Sequence, residues 1–110
     1  MKVLREGYTY RLDSMEGTNP QFLQFIEKLP GHDSMKKSPS DQQFTTVRDG
    51  TTNEEVLAVL IDRLKYLQEK LPCDENILVI ENLETALYIL NERTRKRQAQ
   101  QVENTSNPHA

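Results

Sequence analysis

A chain of 110 residues that is 35% hydrophobic and 28% charged has room for one core and little apolar surplus, so a self-associating surface would bury what a monomer leaves in water. Its net charge of −3 excludes the general basic footprint of a nucleic-acid or anionic-membrane binder and confines any anion site to a local patch. One cysteine, Cys73, cannot close an internal disulfide, and the distant His32 and His109 make no metal-ligand cluster, so neither a metal nor another cofactor is expected.

No apolar run approaches the roughly 18 residues of a membrane span, and Met1 to Tyr10 lacks the apolar stretch of a signal peptide; the expectation is a cytosolic chain. The first half carries Gly7, Gly17, Gly31 and Gly50, whereas Thr51 to Asn107 contains a single helix breaker, Pro72. Tyr8, Tyr10 and Leu12 alternate with Thr9, Arg11 and Asp13, and Phe44, Thr46 and Arg48 alternate with Thr45, Val47 and Asp49, the period-two pattern of half-buried strands. Gln21 to Leu29 admits two readings: Phe22, Phe25, Ile26 and Leu29 fit a helical stripe, while the aromatic content, the short length and the closing Pro30-Gly31 fit the strand that we expect. The Pro/Ser-rich run from Pro30 to Asp41 predicts a mobile loop.

Thr52-Asn53-Glu54-Glu55 has the form of a capping box and starts a helix. Val56, Leu60, Leu64, Leu67 and Leu71, widened by Leu57 and Ile61, carry it to Leu71-Pro72, where it stops. Asp74 is the expected N-cap of a second helix, whose seam of Ile80, Leu83, Leu87 and Leu90 runs without a breaker to a polar tail near Val102. The predicted fold class is α+β: a small antiparallel N-terminal sheet followed by a long antiparallel two-helix hairpin. It forms a single domain over 1–110, with a β-rich part at 1–50, the hairpin at 52–101 and a tail at 102–110.

Charges on the second helix are segregated, with Asp74, Glu75, Glu81, Glu84 and Glu92 preceding Arg93, Arg95, Lys96 and Arg97. That order complements a helix dipole, and it would equally lay acid against base if two such helices packed antiparallel. Arg93 and Arg97 stand four apart on one helical face and form a fork suited to phosphate, because guanidinium is permanently charged and presents planar, bidentate donors. A solvated helix end explains the same run. Tyr66 could cover the hairpin edge or stack on a base, and Asn76 could cap, meet solvent or read a base or ribose edge. Arg11 and Arg48 fit exposed sheet positions as well as a second anion site. The chain lacks a nucleophile motif, a glycine-rich phosphate loop and metal-ligand spacing, which argues against an enzyme.

From Asp49 to Arg97 the pieces TTNEEVL, IDRLKYL, LPCDEN, ETAL and LNERT, in that order, resemble the phage anti-Thoeris sponge family and, more distantly, the anti-CBASS cyclic-nucleotide sponges. EGYTY and QFLQFIEK extend the likeness into the first half. The resemblance implies a non-enzymatic phage immune-evasion protein of the infected bacterial cytoplasm. Such a protein binds and withholds a cyclic ADP-ribose signal made by a TIR-domain defence protein, and some relatives hold cyclic oligonucleotides at separate sites. It implies Tyr66, Asn76, Arg93 and Arg97 as ligand contacts. Asn76 and Arg93 stand roughly 25 Å apart on one helix at about 1.5 Å per residue, so the sites are expected at the subunit interface of a homo-oligomer, a dimer or a hexamer built from dimers. Relatives tend to continue into a GVEGTH-like tail, where this chain has Gln101 to Ser106 as QVENTS. The alternative reading is a protein-interaction or nucleic-acid-binding module in which the hairpin is a scaffold.

Overall fold

The computed structural model describes residues 1–30 and 44–106, and the loop expected over 30–41 lies, past Pro30, outside the described residues. Two compact units divide the chain, Met1–Thr52 and Asn53–Ala110. The first holds strands β1 (Lys2–Arg5), β2 (Thr9–Leu12), β3 (Gln21–Gln24), β4 (Glu27–Pro30) and β5 (Phe44–Arg48); the second holds helices α1 (Asn53–Lys70) and α2 (Asp74–Ser106). The α+β class and the helical hairpin read from the sequence are both present.

Within the first unit, β1, β2 and β3 form an antiparallel meander, and β4 pairs with β5 in a second antiparallel sheet. The expected strand over Gln21 to Leu29 is therefore two strands in two sheets, broken at Phe25-Ile26. Phe25 N–H still donates to Tyr8 O at 2.8 Å, but Ile26 N–H turns to Thr51 O at 2.9 Å, and Thr51 N–H donates to Gln24 O at 2.8 Å. A parallel bridge between Phe25 and Thr51 results. Strand β1 has no period-two pattern and is absent from the sequence reading; its pairing of Lys2 with Arg11 and Val3 with Tyr10 supplies what local pattern does not. The β1–β2 turn is closed by Tyr8 N–H to Arg5 O at 3.0 Å, with Gly7 at φ 82° in the turn position that needs a left-handed residue.

Two contacts consolidate this unit. Tyr10 and Phe25 meet edge to face at 5.9 Å between ring centroids and 87° between planes, the arrangement favoured by the ring quadrupoles. Glu27 is buried, and its carboxylate takes both terminal nitrogens of the Arg5 guanidinium, Nη2 to Oε2 at 2.8 Å. Arg5 also lies over Tyr8, its Cζ 4.9 Å from the ring centroid. A buried carboxylate requires such pairing, since desolvation alone would favour the neutral acid.

In the second unit, α1 begins directly after Thr52, the position the capping pattern marks, and ends before Leu71-Pro72. Leu71 N–H donates to Leu67 O at 2.8 Å, and Cys73 N–H donates to the Gln68 side-chain oxygen at 3.1 Å, so the turn is tied back to α1. Asp74 is the first helical residue of α2 rather than its N-cap, and it acts with Glu75 as acid in the first turn. The helix runs on to Ser106, past the tail expected from Val102, because no Gly or Pro interrupts Arg93 to Ser106. The two helices pack antiparallel: Lys65 Nζ reaches Glu84 Oε2 at 3.0 Å, and Thr94 Oγ1 donates to Glu54 Oε2 at 2.9 Å. Ile61 and Ile80 are its buried hydrophobic residues, while Leu60, Val79 and Ile89 stay exposed.

A methyl group at Gly50 would stand 2.5 Å from Gln24 O and 2.5 Å from Phe25 C, against backbone that cannot step aside. Gly50→Ala should therefore lower the stability of the β-rich unit by at least about 2 kcal/mol, read as a lower urea midpoint with unchanged slope.

Arg5 holds the Glu27 carboxyl below its ordinary value of 4.5, chiefly through the side-chain hydrogen bond, against the opposing effect of burial. A depressed carboxylate contributes stability that is full above its unfolded pKa and is lost as pH falls through the folded one. Hydrogen-exchange protection of β1 and β4 should consequently decline below about pH 4.5, and Glu27→Gln should remove that decline while lowering protection at pH 7.

Candidate functional site

The residues implied as ligand contacts all lie in the hairpin unit, at its two ends. Tyr66 stands one turn before the end of α1 and is 57% exposed. It closes a shallow concavity of about 450 Å³ along one face of α1, shared with Glu55, Ala58, Val59, Asp62 and Arg63. Lys70, four residues on, places its Nζ 5.3 Å from the Tyr66 ring centroid, a cation–π contact that brings positive charge to the same ring. Asn76 is in the first turn of α2 and half-buried, on the stripe that continues through Ile80, Leu83, Leu87 and Leu90. Its side chain makes no hydrogen bond among the described residues. The Leu71-Pro72-Cys73 turn thus brings Tyr66 and Asn76 to one end of the hairpin.

Arg93 and Arg97 are exposed at the other end. Of the neighbouring arginines, Arg95 is held by Glu92, Nε to Oε1 at 3.1 Å and Nη2 to Oε2 at 2.6 Å. That pair raises the Arg95 guanidinium and lowers the Glu92 carboxyl, in each case chiefly through the shared hydrogen bonds. Arg93 and Arg97 have no ion-pair partner among the described residues. Both charges remain open to an external anion, while Arg95 between them is neutralised.

The helix boundary bears on the meaning of the basic run. A dipole-complementing cation acts within the last turn of a helix, but α2 has no basic residue in its last turn and continues to Ser106. Arg93 to Arg97 sit inside the helix, so the dipole does not account for them. From Asn76 to Arg93 the helix is unbroken over about 17 residues, roughly 25 Å at about 1.5 Å per residue. Within one chain the structure therefore joins Tyr66 to Asn76 and Arg93 to Arg97, and keeps the two pairs apart.

Three features were not found in the sequence reading. Lys70 over Tyr66 and Glu92 with Arg95 were visible in principle as neighbours four and three apart on a helix face. The Glu54–Thr94 contact joins residues 40 apart and left no local signal. On the sheets, Arg48 faces Glu27 in register and helps lower its pKa, while Arg11 keeps a buried Nε without a partner. Among the described residues there is no group of three or more His, Cys, Asp or Glu able to hold a metal ion, and no helix is long and apolar enough to cross a membrane.

Residues 32–95, more than half of the chain, match the Acb2/Tad1 hairpin domain. A curated relative, Thoeris anti-defense 1 of Bacillus phage SBSphiJ7, is 43% identical over 58 residues, which are 52% of this chain and 41% of that protein. The chain thus spans less than half the length of the curated relative it matches. The pieces TTNEEVL, LPCDEN and LNERT stand on α1, on the turn and on α2, and with the matched hairpin they establish that this chain belongs to the Acb2/Tad1 hairpin family, the anti-Thoeris sponges that its sequence resembles.

Proposed function

We propose that this protein is a phage immune-evasion sponge that binds a cyclic ADP-ribose-type signalling nucleotide in the cytoplasm of an infected bacterium and withholds it without cleaving it. The observation that carries this reading is the unpaired Arg93 and Arg97 in the interior of α2, on a hairpin whose relative is a Thoeris anti-defense protein. The two arginines supply bidentate donors for a diphosphate. Tyr66 offers an aromatic face for a base, and the Asn76 amide offers a donor and an acceptor for a base or ribose edge. The proposed chemistry is retention.

A nucleotide cannot reach both ends of one hairpin across roughly 25 Å. An antiparallel second copy removes the conflict, because its own Arg93 and Arg97 arrive beside the first chain's Tyr66 and Asn76. Two features support that pairing: the acidic-then-basic charge order along α2, which is self-complementary when antiparallel, and the exposed Leu60, Val79 and Ile89, apolar area that a partner would cover. Two equivalent sites per dimer result. Whether dimers assemble further into hexamers, and whether a second site takes cyclic oligonucleotides, belong to the same proposal and rest on the family resemblance alone.

Retention has a direct test. Protein incubated with a panel of cyclic ADP-ribose isomers and then heated should release one of them chemically unchanged, as read by mass spectrometry; a linear or deaminated product would make the protein an enzyme. Binding that falls steeply with salt and accepts any polynucleotide would favour a nucleic-acid module instead.

The shared site is tested by mixing two variants. A Tyr66→Ala, Asn76→Ala chain and an Arg93→Ala, Arg97→Ala chain should each bind at least about a hundredfold more weakly than wild type. After subunit exchange at equal amounts, half the dimers are mixed and each holds one intact site, so about one quarter of the wild-type sites should return. Exchanged, folded dimers that recover no binding would place the site within one chain.

A further inference from the structure

One polar contact between α1 and α2 has no role in the reading above, and it lies beside the arginine pair. Thr94 continues the inward stripe of α2, four residues after Leu90, where another apolar residue would extend the seam. Its hydroxyl donates across the hairpin to Glu54 Oε2 at 2.9 Å, in a half-buried position. This is not how Thr85 of the same helix behaves: its Oγ1 bonds back to Glu81 O at 3.0 Å, the common habit of a mid-helix hydroxyl. Asn82 likewise turns its side chain to Leu78 O at 2.8 Å. Thr94 forgoes that local acceptor for one on the facing helix.

We infer that Thr94 and Glu54 are positioning residues for the Arg93–Arg97 pair, a conclusion that rests on the reading of those arginines as ligand donors. Arg93 precedes Thr94 directly and Arg97 follows it by less than one turn. A helix turns by about 100° per residue, so locking one side chain against α1 sets the direction in which its neighbours project. An apolar seam alone tolerates slippage and small rotations, whereas a single polar pair within it specifies one register. The location is also where the arginines most need it, since α1 begins at Asn53 and offers α2 almost no further neighbour past Thr94. The Thr94 hydroxyl serves as the last fixed point on α2 before the guanidiniums.

The test is calorimetric titration of the full chain with two probes: the cyclic ADP-ribose isomer that wild type holds tightest, and inorganic pyrophosphate, which reads the arginine fork without the rest of the nucleotide. Thr94→Val and Glu54→Ala should each weaken both probes by about tenfold. Thr94→Ser and Glu54→Gln, which keep a hydroxyl donor and an oxygen acceptor, should stay within about twofold of wild type. The double variant Thr94→Val, Glu54→Ala should be no weaker than either single one, because both remove the same contact. Rescue by serine and glutamine separates positioning from bulk charge or packing. Thr94→Val binding both probes at wild-type strength overturns the inference. So does Glu54→Gln binding more tightly than wild type, which would make Glu54 a competing charge. If pyrophosphate responds as stated and no isomer binds, the signal-nucleotide reading fails while the positioning role stands; if wild type binds neither probe, both fall.

Discussion

The antiparallel register of α1 against α2 is the constraint on which the candidate site depends. Two contacts, Lys65 with Glu84 and Glu54 with Thr94, mark it at the middle and at one end, and the turn held by Gln68 marks it at the other. Once that register is set, each α1 residue has a defined opposite on α2. The aromatic and amide groups are then fixed at the turn and the arginines at the open end. A slip of one residue would rotate the inner stripe by about 100° and bury a guanidinium or expose Ile80. Because Ile61 and Ile80 alone are buried among the hydrophobic side chains of the described residues, and neither completely, the polar contacts carry more of the specification than they would in a thick core.

The β-rich unit solves a similar problem by different means. Its two small sheets have few side chains to hide, and they are joined through backbone: the Phe25–Thr51 bridge forms because Gly50 lets the chain pass against Gln24 and Phe25 at a distance no other residue permits. Beside that crossing a carboxylate is buried, and the Arg5 fork makes its burial tolerable. Local backbone geometry and one paired charge replace a hydrophobic interior here, as is common in units too small to build one.

Legibility in the sequence followed the range of the interactions concerned. Helical stripes, the Thr52 start and the Leu71-Pro72 stop are written in residues a few positions apart, and α1 and the onset of α2 appeared close to where they were expected. β2 and β5 showed their alternation. The division of Gln21 to Leu29 into β3 and β4 was not legible, because it is decided by Thr51, a residue far along the chain that draws Ile26 away from its first sheet. Strand β1 was silent for the same reason, since its partner rather than its own pattern makes it a strand. For the site, spacing puts Arg93 and Arg97 on one face and also marks the neutralised arginine, a signal the sequence reading did not use: Arg95, three residues after Glu92, shares a face with it, as Arg93 and Arg97 do not. The end of α2 was misjudged because polar composition marks solvent exposure, not the end of a helix, when no Gly or Pro intervenes.

The unequal lengths of the two helices have a thermodynamic consequence. α1 has 18 residues and α2 has 33, and the Glu54–Thr94 contact shows that α1 is used up where α2 still has several turns to run. Past Thr94 almost no residue of α1, which begins at Asn53, is left to stand opposite α2, and a helical segment of about a dozen residues has little intrinsic stability in water. Arg97 belongs to this overhang. A second copy covering it, as proposed, would couple its helical state to association, so that association and local folding share one free-energy balance. Under the proposed antiparallel pairing, the concentration of the protein, and not only that of a ligand, would govern how completely the arginine pair is preorganised.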